Sequence, residues 1–566
     1  MLKQILASLP MAIKPNAKSA AMLAILSFGI ALTVRRRLGV DALTAAALSI
    51  FLPCLFWLWQ GPTPERRRLF TVAAIGTGCL PIFFLFGDSI FYWGRYLVIF
   101  GLGLYFTTPD KTDPAYTHGS AEWASPEYLA AHRLLGERGF RLGSAFGRGR
   151  SERLSYSGDR HLLTVAPTRT GKGVYAIIPN LLTYQGSALV IDPKGENAMV
   201  TAHRRAAMGQ EIHVVDPWGI VSGARTSRFN PLDWLAPGDI DMTENAMLLA
   251  DALAVPQTSE DQFWREEAKA LLQGVILYVA TDEREQCARH LGRVRDLLLL
   301  EGEERDALFR RMTESPHHVV ASTGTRCFQK EERLLGSVFA SAQAETHFLD
   351  SARMREGLSA SDFSFADLKA RRVTIYLVLP ADRLKAFGRW LRLLIQQAIT
   401  VNARNIEAKP ERPVLFLLDE MPALGRLDMV EQAFGLMAGF GMQLWGISQD
   451  LSQLKDLYGD GWETFISNAG AVQYFGSRDR MTAEYFSALC GVATVETVSR
   501  SVSRGARSRS RTETTASVQR KLAFADELMR LPSDVQLVLI ENHPPIMARK
   551  VPWFDDPELA ALGRQL

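Results

Sequence analysis

Residues 161–173 read HLLTVAPTRTGKG, and the fold class of the chain can be predicted from them. A short apolar and β-branched run, His161–Val165, precedes a loop with Gly171 and Lys172, and the stretch Val174–Tyr184 that follows has helical character. A strand, a glycine-bearing loop with a lysine and a helix form the layout of a phosphate-binding loop, in which backbone N–H groups surround a phosphate at the start of the helix. This order predicts a nucleotide-binding α/β fold.

The loop departs from the strict pattern GxxxxGK[ST] at two positions, because Ala166 replaces the first glycine and Gly173 replaces the final serine or threonine. The second difference removes a hydroxyl group that normally binds magnesium. The residues that we expect to contact the nucleotide are Thr168, Arg169, Thr170, Gly171, Lys172, Gly173 and Val174. Taken alone, the pattern is also compatible with an ordinary turn whose lysine faces solvent.

Two further predicted strands end in polar residues. The buried strand at Val414–Asp419 ends in two carboxylates, Asp419 and Glu420, as a Walker B strand does. Asp419 is the candidate magnesium ligand, directly or through water, and Glu420 is the candidate group that polarises an attacking water. The strand Met442–Ser448 is followed by Gln449, which we expect to contact the γ-phosphate and to respond to hydrolysis. The alternatives are solvated acids and a polar cap on a strand.

Short apolar runs alternate with longer helical stretches after residue 117, which predicts a mostly parallel sheet covered by helices. The predicted strands are His161–Val165, Ala188–Asp192, Ile212–Asp216, Val373–Leu379, Val414–Asp419, Met442–Ser448, Ala471–Phe475 and Val535–Glu541. Between about 240 and 355 helical periodicity replaces the strand signal, at Glu244–Ala254, Phe263–Ala280, Leu291–Leu300 and Glu331–Phe348. We therefore expect a nucleotide-binding α/β domain formed by residues 108–240 and 356–566, with an all-α domain at 241–355 inserted into it.

The first 107 residues contain four apolar stretches, each near the roughly 17–25 residues needed to cross a bilayer. These stretches are Ser19–Val34, Leu43–Trp59, Leu69–Gly87 and Ile90–Phe106. Residues 1–110 carry ten Lys or Arg and four Asp or Glu, a net charge of +6, whereas the remaining residues carry 54 and 57, a net charge of −3. We expect an anchor of about four helices with the soluble part on the cytoplasmic side; three helices are the alternative, because Arg35–Arg37 would otherwise break the positive-inside rule.

The composition excludes several other classes of protein. A hydrophobic share of 47% and a charged share of 22% are typical of globular chains and exclude a collagen, a coiled coil or a disordered chain. The 5 cysteines are scattered and form no CxxC pair, so neither a disulfide framework nor a zinc site is predicted. His317 and His318 lack nearby ligand partners, and we interpret them as a surface pair.

Eight sequence blocks resemble, in family order, those of the type IV secretion coupling proteins, the TraG-like ATPases of conjugation systems. The blocks are APTRTGKGVYAIIPNLL (166–182), GSALVIDPKGE (186–196), VVDPWG (214–219), FNPLDW (229–234), DQFWREEAKALL (261–272), LLDEMPALGRL (417–427), GISQDLSQLKDLYG (446–459) and PPIMARKVPWF (544–554). The resemblance places Lys172 on the phosphate-binding lysine, Asp419 and Glu420 on the Walker B pair, and Gln449 on the sensor position. That family often has glycine after the lysine, so Gly173 fits it.

The resemblance implies a RecA-like P-loop ATPase domain with an inserted all-α domain, ATP and Mg²⁺ as cofactors, and assembly into a homo-hexamer. It implies a multi-pass protein of the bacterial inner membrane whose ATPase domain is cytoplasmic. The expected function is to recruit a relaxase bound to single-stranded DNA, or protein effectors, and to deliver this cargo to the subunits of a type IV secretion channel. We expect the all-α domain at 241–355 to be the part that binds the cargo. The alternative is a nucleotide-gated docking receptor for secreted proteins with little motor activity.

Three further features have less specific interpretations. Segment 499–511 carries five arginines among serine and glycine, and we predict a mobile loop that contacts nucleic-acid phosphates, or else a solvated surface loop. An arginine that reaches the site of a neighbouring subunit is expected among Arg426, Arg478 and Arg480, and the sequence does not choose between them. Asp192 and Glu196, in a turn after a strand, receive no catalytic role.

Overall fold

The computed structural model describes residues 118–146, 152–254, 262–504 and 509–565. The four apolar stretches predicted to cross the membrane, in residues 1–107, lie outside the described residues. Within the described ranges, no helix is both long enough and apolar enough to span a bilayer.

Eleven strands form one mixed sheet, and two more form a separate hairpin. In chain order the strands are β1 Phe140–Ala145, β2 Arg153–Tyr156, β3 His161–Val165, β4 Ala188–Asp192, β5 Glu211–Val215, β6 Val373–Val378, β7 Val414–Leu418, β8 Met442–Ser448, β9 Ala469–Tyr474, β10 Val492–Arg504, β11 Arg509–Lys521, β12 Val535–Ile540 and β13 Ile546–Arg549. All of the predicted strands are present, with ends that differ by at most two residues.

The order of the strands in the sheet is β2-β1-β13-β12-β9-β3-β8-β7-β4-β6-β5. The seven strands from β9 to β5 pair in parallel, as predicted. Strands β12, β13, β1 and β2 extend the sheet through antiparallel pairs. Because β3, β8, β7 and β4 are adjacent and parallel, the loops that follow them meet at one edge of the sheet.

The described helices cover the sheet and fill the segment between β5 and β6. They are α1 Pro126–Ala131, α2 Ile178–Thr183, α3 Glu196–Ala207, α4 Met242–Leu253, α5 Gln262–Thr281, α6 Leu291–Leu298, α7 Gly302–Thr313, α8 His318–Gln329, α9 Glu332–Thr346, α10 Ala352–Gly357, α11 Asp367–Ala370, α12 Leu384–Arg404, α13 Asp428–Leu436, α14 Leu451–Tyr458, α15 Thr464–Ser467, α16 Arg480–Leu489, α17 Ala525–Met529 and α18 Pro557–Leu562. The segment from α4 to α10 contains helices and short 3₁₀ turns in its described residues.

A continuous apolar core joins one face of the sheet to this helical layer. Leu163 of β3 and Leu189 of β4 belong to the same cluster of buried side chains as Leu249 of α4, Ile276 of α5 and Leu394 of α12. The strands at the centre of the sheet are buried along their whole length, which is why they appear in the sequence as unbroken apolar runs. The helices between β5 and β6 therefore share the hydrophobic core of the sheet.

The described residues of the arginine-rich segment, 499–504 and 509–511, lie in strands, so the prediction of a loop was wrong for them. Most of it lies in β10 and β11, which pair in antiparallel register from Val492 opposite Lys521 to Arg504 opposite Arg509. Cross-strand hydrogen bonds satisfy the backbone, and none of the hairpin side chains that the structure describes is buried. β-branched residues favour this extended conformation. Val498, for example, is 55% exposed although it lies within a strand. The absence of a core therefore did not imply the absence of regular structure.

Candidate functional site

The loop after β3 has the backbone geometry of a phosphate-binding loop. Arg169 and Gly171 have positive φ angles of 68° and 81°, which turn successive peptide groups around a concave surface. A methyl group added to Gly171 would lie 2.4 Å from the ring of Tyr175, so glycine is required by space as well as by conformation. Lys172 immediately precedes a single turn of π-helix at Gly173–Ile177 that continues into α2.

Several backbone donors of this loop have no acceptor. The N–H groups of Thr168, Arg169, Gly171 and Lys172 donate to no atom of the described residues, whereas Thr170 is held by its N–H and hydroxyl to the carbonyl of Pro167 at 3.2 and 2.6 Å. Free N–H groups in a curled loop at the start of a helix favour an anion. The residues present therefore fit the phosphates of a nucleotide.

Lys172 connects this loop to the end of β7. Its Nζ lies 2.8 Å from Oδ1 of Asp419 and also forms an ion pair and hydrogen bond with Glu420. The sheet order explains the contact, since β3 and β7 both flank β8 and all three run in the same direction. Lys172 and the adjacent carboxylates Asp419 and Glu420, which are distant from it in the sequence, are thus brought together in a partly buried ionic group.

The charges of this group are set by burial and by each other. Burial lowers the pKa of Lys172, but the carboxylates of Asp419 and Glu420 more than offset this, so that its pKa lies above the ordinary value. Burial raises the pKa of Asp419, and Lys172 counteracts only part of that rise. Because the ammonium group compensates the buried negative charge, removing Lys172 leaves two carboxylates without their cation.

Gln449 and Glu420 also lie together at this edge. The side-chain Nε2 of Gln449 donates to Oε2 of Glu420 at 3.0 Å. Glu420 has a positive φ of 53°, a conformation that costs energy outside glycine, and its N–H donates to Oδ1 of Asp419 at 2.9 Å. Backbone strain of this kind is common at functional sites. The predicted Walker B and sensor residues are therefore in direct contact.

The turn after β4 has a structural function. Asp192 is 1% exposed and its Oδ2 accepts the N–H of Ala198 at 2.9 Å, close to the start of α3. Burial raises the pKa of Asp192 to about 7, partly countered by backbone hydrogen bonds. Glu196 is exposed. Asp192 therefore stabilises the turn at the start of α3.

A cavity of about 760 Å³ opens beside the phosphate loop. One wall consists of loop residues 167–171 with Val174, Tyr175, Gln449 and Asp450. The opposite wall consists of residues that were not assigned to the site from the sequence: Phe475, Gly476, Ser477, Asp479, Met529, Leu531, Ser533, Lys550 and Phe554. Most of these residues follow β9, α17 or β13. Phe475 ends a predicted strand, and Lys550 and Phe554 lie in the block 544–554, but neither pattern indicates a place in the site.

The three candidate arginines have different environments. Arg426 forms ion pairs with Asp428 and Glu431, and Arg480 forms an exposed pair with Glu484 at 2.7 Å. Arg478 lines the cavity of its own chain.

His317 and His318 stack with ring centres 5.4 Å apart, and the described residues contain no group of three or more metal-ligating side chains.

Comparison with known proteins gives a family. The model of the family described as "Type IV secretory system Conjugative DNA transfer" matches residues 123–566. Protein VirD4 of Agrobacterium fabrum is 30% identical over 462 residues, which cover 79% of this chain and 67% of that protein. Conjugal transfer protein TraG of Escherichia coli is 27% identical over 500 residues, covering 79% of this chain and 78% of that protein.

Solved structures show the same fold. The bacterial conjugative coupling protein TrwB, lacking its amino-terminal segment, superposes with a TM-score of 0.59 at 16% identity and covers 78% of this chain and 95% of its own. TrwB in complex with the non-hydrolysable ATP analogue ADPNP superposes with a TM-score of 0.58 at 17% identity, covering 78% and 96%. The P-loop α/β fold with a mixed sheet is therefore shown.

Proposed function

The chain belongs to the type IV secretory system conjugative DNA transfer family, as the sequence blocks predicted, and on that premise we propose that it is the coupling ATPase of a conjugation system. The observation that carries the proposal is the ionic group formed by Lys172, Asp419 and Glu420 beside a loop with free backbone N–H groups. A loop that offers donors to phosphates, next to carboxylates that suit magnesium, fits ATP and Mg²⁺. The solved TrwB structures with ADPNP, and with ADP and Mg²⁺, support this choice of ligands.

Each residue of the site has a defined task in this proposal. The free N–H groups of Thr168, Arg169, Gly171 and Lys172 hold phosphate oxygens. Lys172 exchanges its carboxylate partners for phosphate. Asp419 holds Mg²⁺, directly or through water, and the metal supplies charge neutralisation on the phosphates. Glu420 orients and polarises the attacking water, and Gln449 holds Glu420 through the hydrogen bond described above.

The cargo and assembly extend the proposal beyond the site. We propose that relaxase bound to single-stranded DNA, with protein effectors as further cargo, is passed to type IV secretion channel subunits by a homo-hexamer at the bacterial inner membrane. The names of VirD4 and TraG, and the family description, support a place in conjugative transfer. The apolar stretches in residues 1–107 support an anchor. The closed ring follows the general expectation that oligomers with repeated sites are cyclic. The exposed β10–β11 hairpin is the surface that we assign to DNA phosphates.

The test is ATP hydrolysis by the full-length protein in lipid, with and without single-stranded DNA. We expect DNA to stimulate hydrolysis and Lys172→Ala to abolish it. Lys194→Ala is the matched control, because Lys194 is an exposed lysine in the loop that follows β4 and should retain activity. Absence of hydrolysis by the unaltered protein under both conditions would contradict the ATPase proposal.

One observation favours the docking receptor as the second candidate. Gly173 provides no hydroxyl group for magnesium, and no atom lies within 4 Å of the position its Cβ would occupy. A receptor would bind nucleotide and hydrolyse it at a rate that does not respond to DNA. The same assay separates the two functions, since only a motor is stimulated by its DNA cargo.

A further inference from the structure

Lys550 is a buried lysine at the sheet edge that contains the phosphate loop. It follows β13, which pairs antiparallel with β12, and β12 pairs antiparallel with β9. Two antiparallel pairings restore the original direction, so β13 ends at the same edge as β9 and β3. The N–H of Lys550 donates to the carbonyl of Asp534 at 2.7 Å, which fixes the backbone at this position.

The ammonium group of Lys550 has aromatic neighbours in place of a counter-ion. Its Nζ lies 4.6 Å from the ring centre of Phe475 and 5.3 Å from that of Tyr175. Lys550 is only 5% exposed, and no described residue forms a hydrogen bond or ion pair with its Nζ. Burial lowers the pKa of Lys550 to about 8, and the charge of Asp534 offsets only part of this shift. A buried cation without a directly bonded anion is costly, and the aromatic faces compensate only part of this cost.

The position of Lys550 beside the loop indicates which anion would complete the site. The ring of Tyr175 covers Gly171, and the N–H of Trp553 donates to the carbonyl of Val174 at 3.2 Å. The segment 550–554 is therefore attached to the first helical turn after the loop. Lys172 points instead toward the carboxylates after β7, on the side where the outer phosphates are expected.

We propose that Lys550 binds the phosphate next to the nucleoside, so that Lys172 and Lys550 hold the two ends of the nucleotide's phosphate chain. This inference rests on the proposed function, because it names a further contact of the same nucleotide. It also explains why a buried lysine without a partner lines a cavity of about 760 Å³ next to the phosphate loop.

The test compares the affinity of the full-length protein and two variants for ADP, GDP, CDP and UDP by calorimetry. Lys550→Met keeps the length and the aromatic contacts of the side chain without its charge, and Lys550→Arg keeps the charge. A lost charge-assisted hydrogen bond corresponds to roughly a 10–100-fold weaker binding. Lys455→Met is the control, since Lys455 is exposed and lies outside the cavity.

We expect Lys550→Met to weaken the binding of all four nucleoside diphosphates by the same factor, while Lys550→Arg stays within about 3-fold of the unaltered protein. Without ligand, neither variant should have a lower melting temperature than the unaltered protein, because Lys550→Met removes a costly buried charge. A loss that depends on the base would overturn the assignment to phosphate. Equal affinities of Lys550→Met and the unaltered protein, or equal losses in both variants with lower melting temperatures, would overturn the binding role. If the unaltered protein binds none of the four ligands, the proposed function fails as well, and that result is distinct from a failure at Lys550 alone.

Discussion

The phosphate-loop edge of the sheet and the β10–β11 hairpin are both rich in charged residues, but they are built in opposite ways. At the sheet edge, Lys172 is partly buried and paired with Asp419 and Glu420 above a core whose strands are fully buried. In the hairpin, Arg500 is exposed and pairs with Glu513 at 2.7 Å without any core beneath. Charge at the edge is therefore positioned by the buried strands of the sheet, whereas Arg500 is held by a pair across the two strands of the hairpin.

The largest effect predicted from this comparison is a loss of stability when the core of the sheet is disrupted. Phe416 of β7 is fully buried beneath Asp419, and Phe416→Ala should lower the free energy of unfolding by about 3–5 kcal/mol. Val498→Ala on the hairpin is the control and should change it by less than about 0.5 kcal/mol. Chemical denaturation of both variants measures the difference. Equal effects would show that the hairpin has a core of its own.

The second-largest predicted effect is a loss of ATP hydrolysis at the sheet edge that contains the phosphate loop. Glu420→Gln keeps the shape of the side chain and its contact with Gln449 but loses the negative charge, so ATP hydrolysis should fall about 100–1,000-fold. Nucleotide affinity should change little, because Lys172 and the loop remain. A binding titration beside a turnover assay measures both quantities. Unchanged hydrolysis would remove Glu420 from the proposed mechanism.

Most of the sheet, and the residues around Lys172, were predictable from the sequence because each depends on a local pattern. Buried parallel strands are continuous apolar runs, and the residues that follow them converge at one edge, so Lys172, Asp419, Glu420 and Gln449 were found together. Strands β1, β2 and β13 were missed because they are short strands at one side of the sheet with mixed polarity. Lys550 was not assigned because its place at the edge depends on two antiparallel pairings that no local pattern reveals.

Two glycines of the phosphate loop should respond differently to substitution by alanine, with smaller changes in stability than in the core. Gly171→Ala should destabilise the protein by about 1–3 kcal/mol, because its φ is 81° and the new methyl group would meet Tyr175. Gly173→Ala should be neutral or stabilising by up to about 1 kcal/mol, since its Cβ would occupy open space in a helical turn. Thermal unfolding measures both. Equal destabilisation of the two variants would contradict the loop geometry.

The smallest predicted effect is a change in stability and DNA affinity when an arginine of the β10–β11 hairpin is removed. Arg500→Ala removes an exposed pair, so the free energy of unfolding should change by less than about 0.5 kcal/mol. If the hairpin contacts DNA phosphates, the affinity for single-stranded DNA should fall a few-fold, and the slope of log affinity against log salt should decrease by about 0.7. Arg480→Ala, another exposed arginine in a surface pair, is the matched control. Identical salt slopes for both variants would place DNA contacts elsewhere.

The most direct test of the account is an experimental structure of the full-length protein with a non-hydrolysable ATP analogue and Mg²⁺. We expect the phosphates of the analogue to accept hydrogen bonds from the N–H groups of Gly171 and Lys172. The ammonium group of Lys172 should have moved from Asp419 and Glu420 to the phosphates, and the metal should lie beside Asp419. A nucleotide bound outside the cavity next to the loop, or Lys172 still paired with both carboxylates while nucleotide is bound, would contradict it.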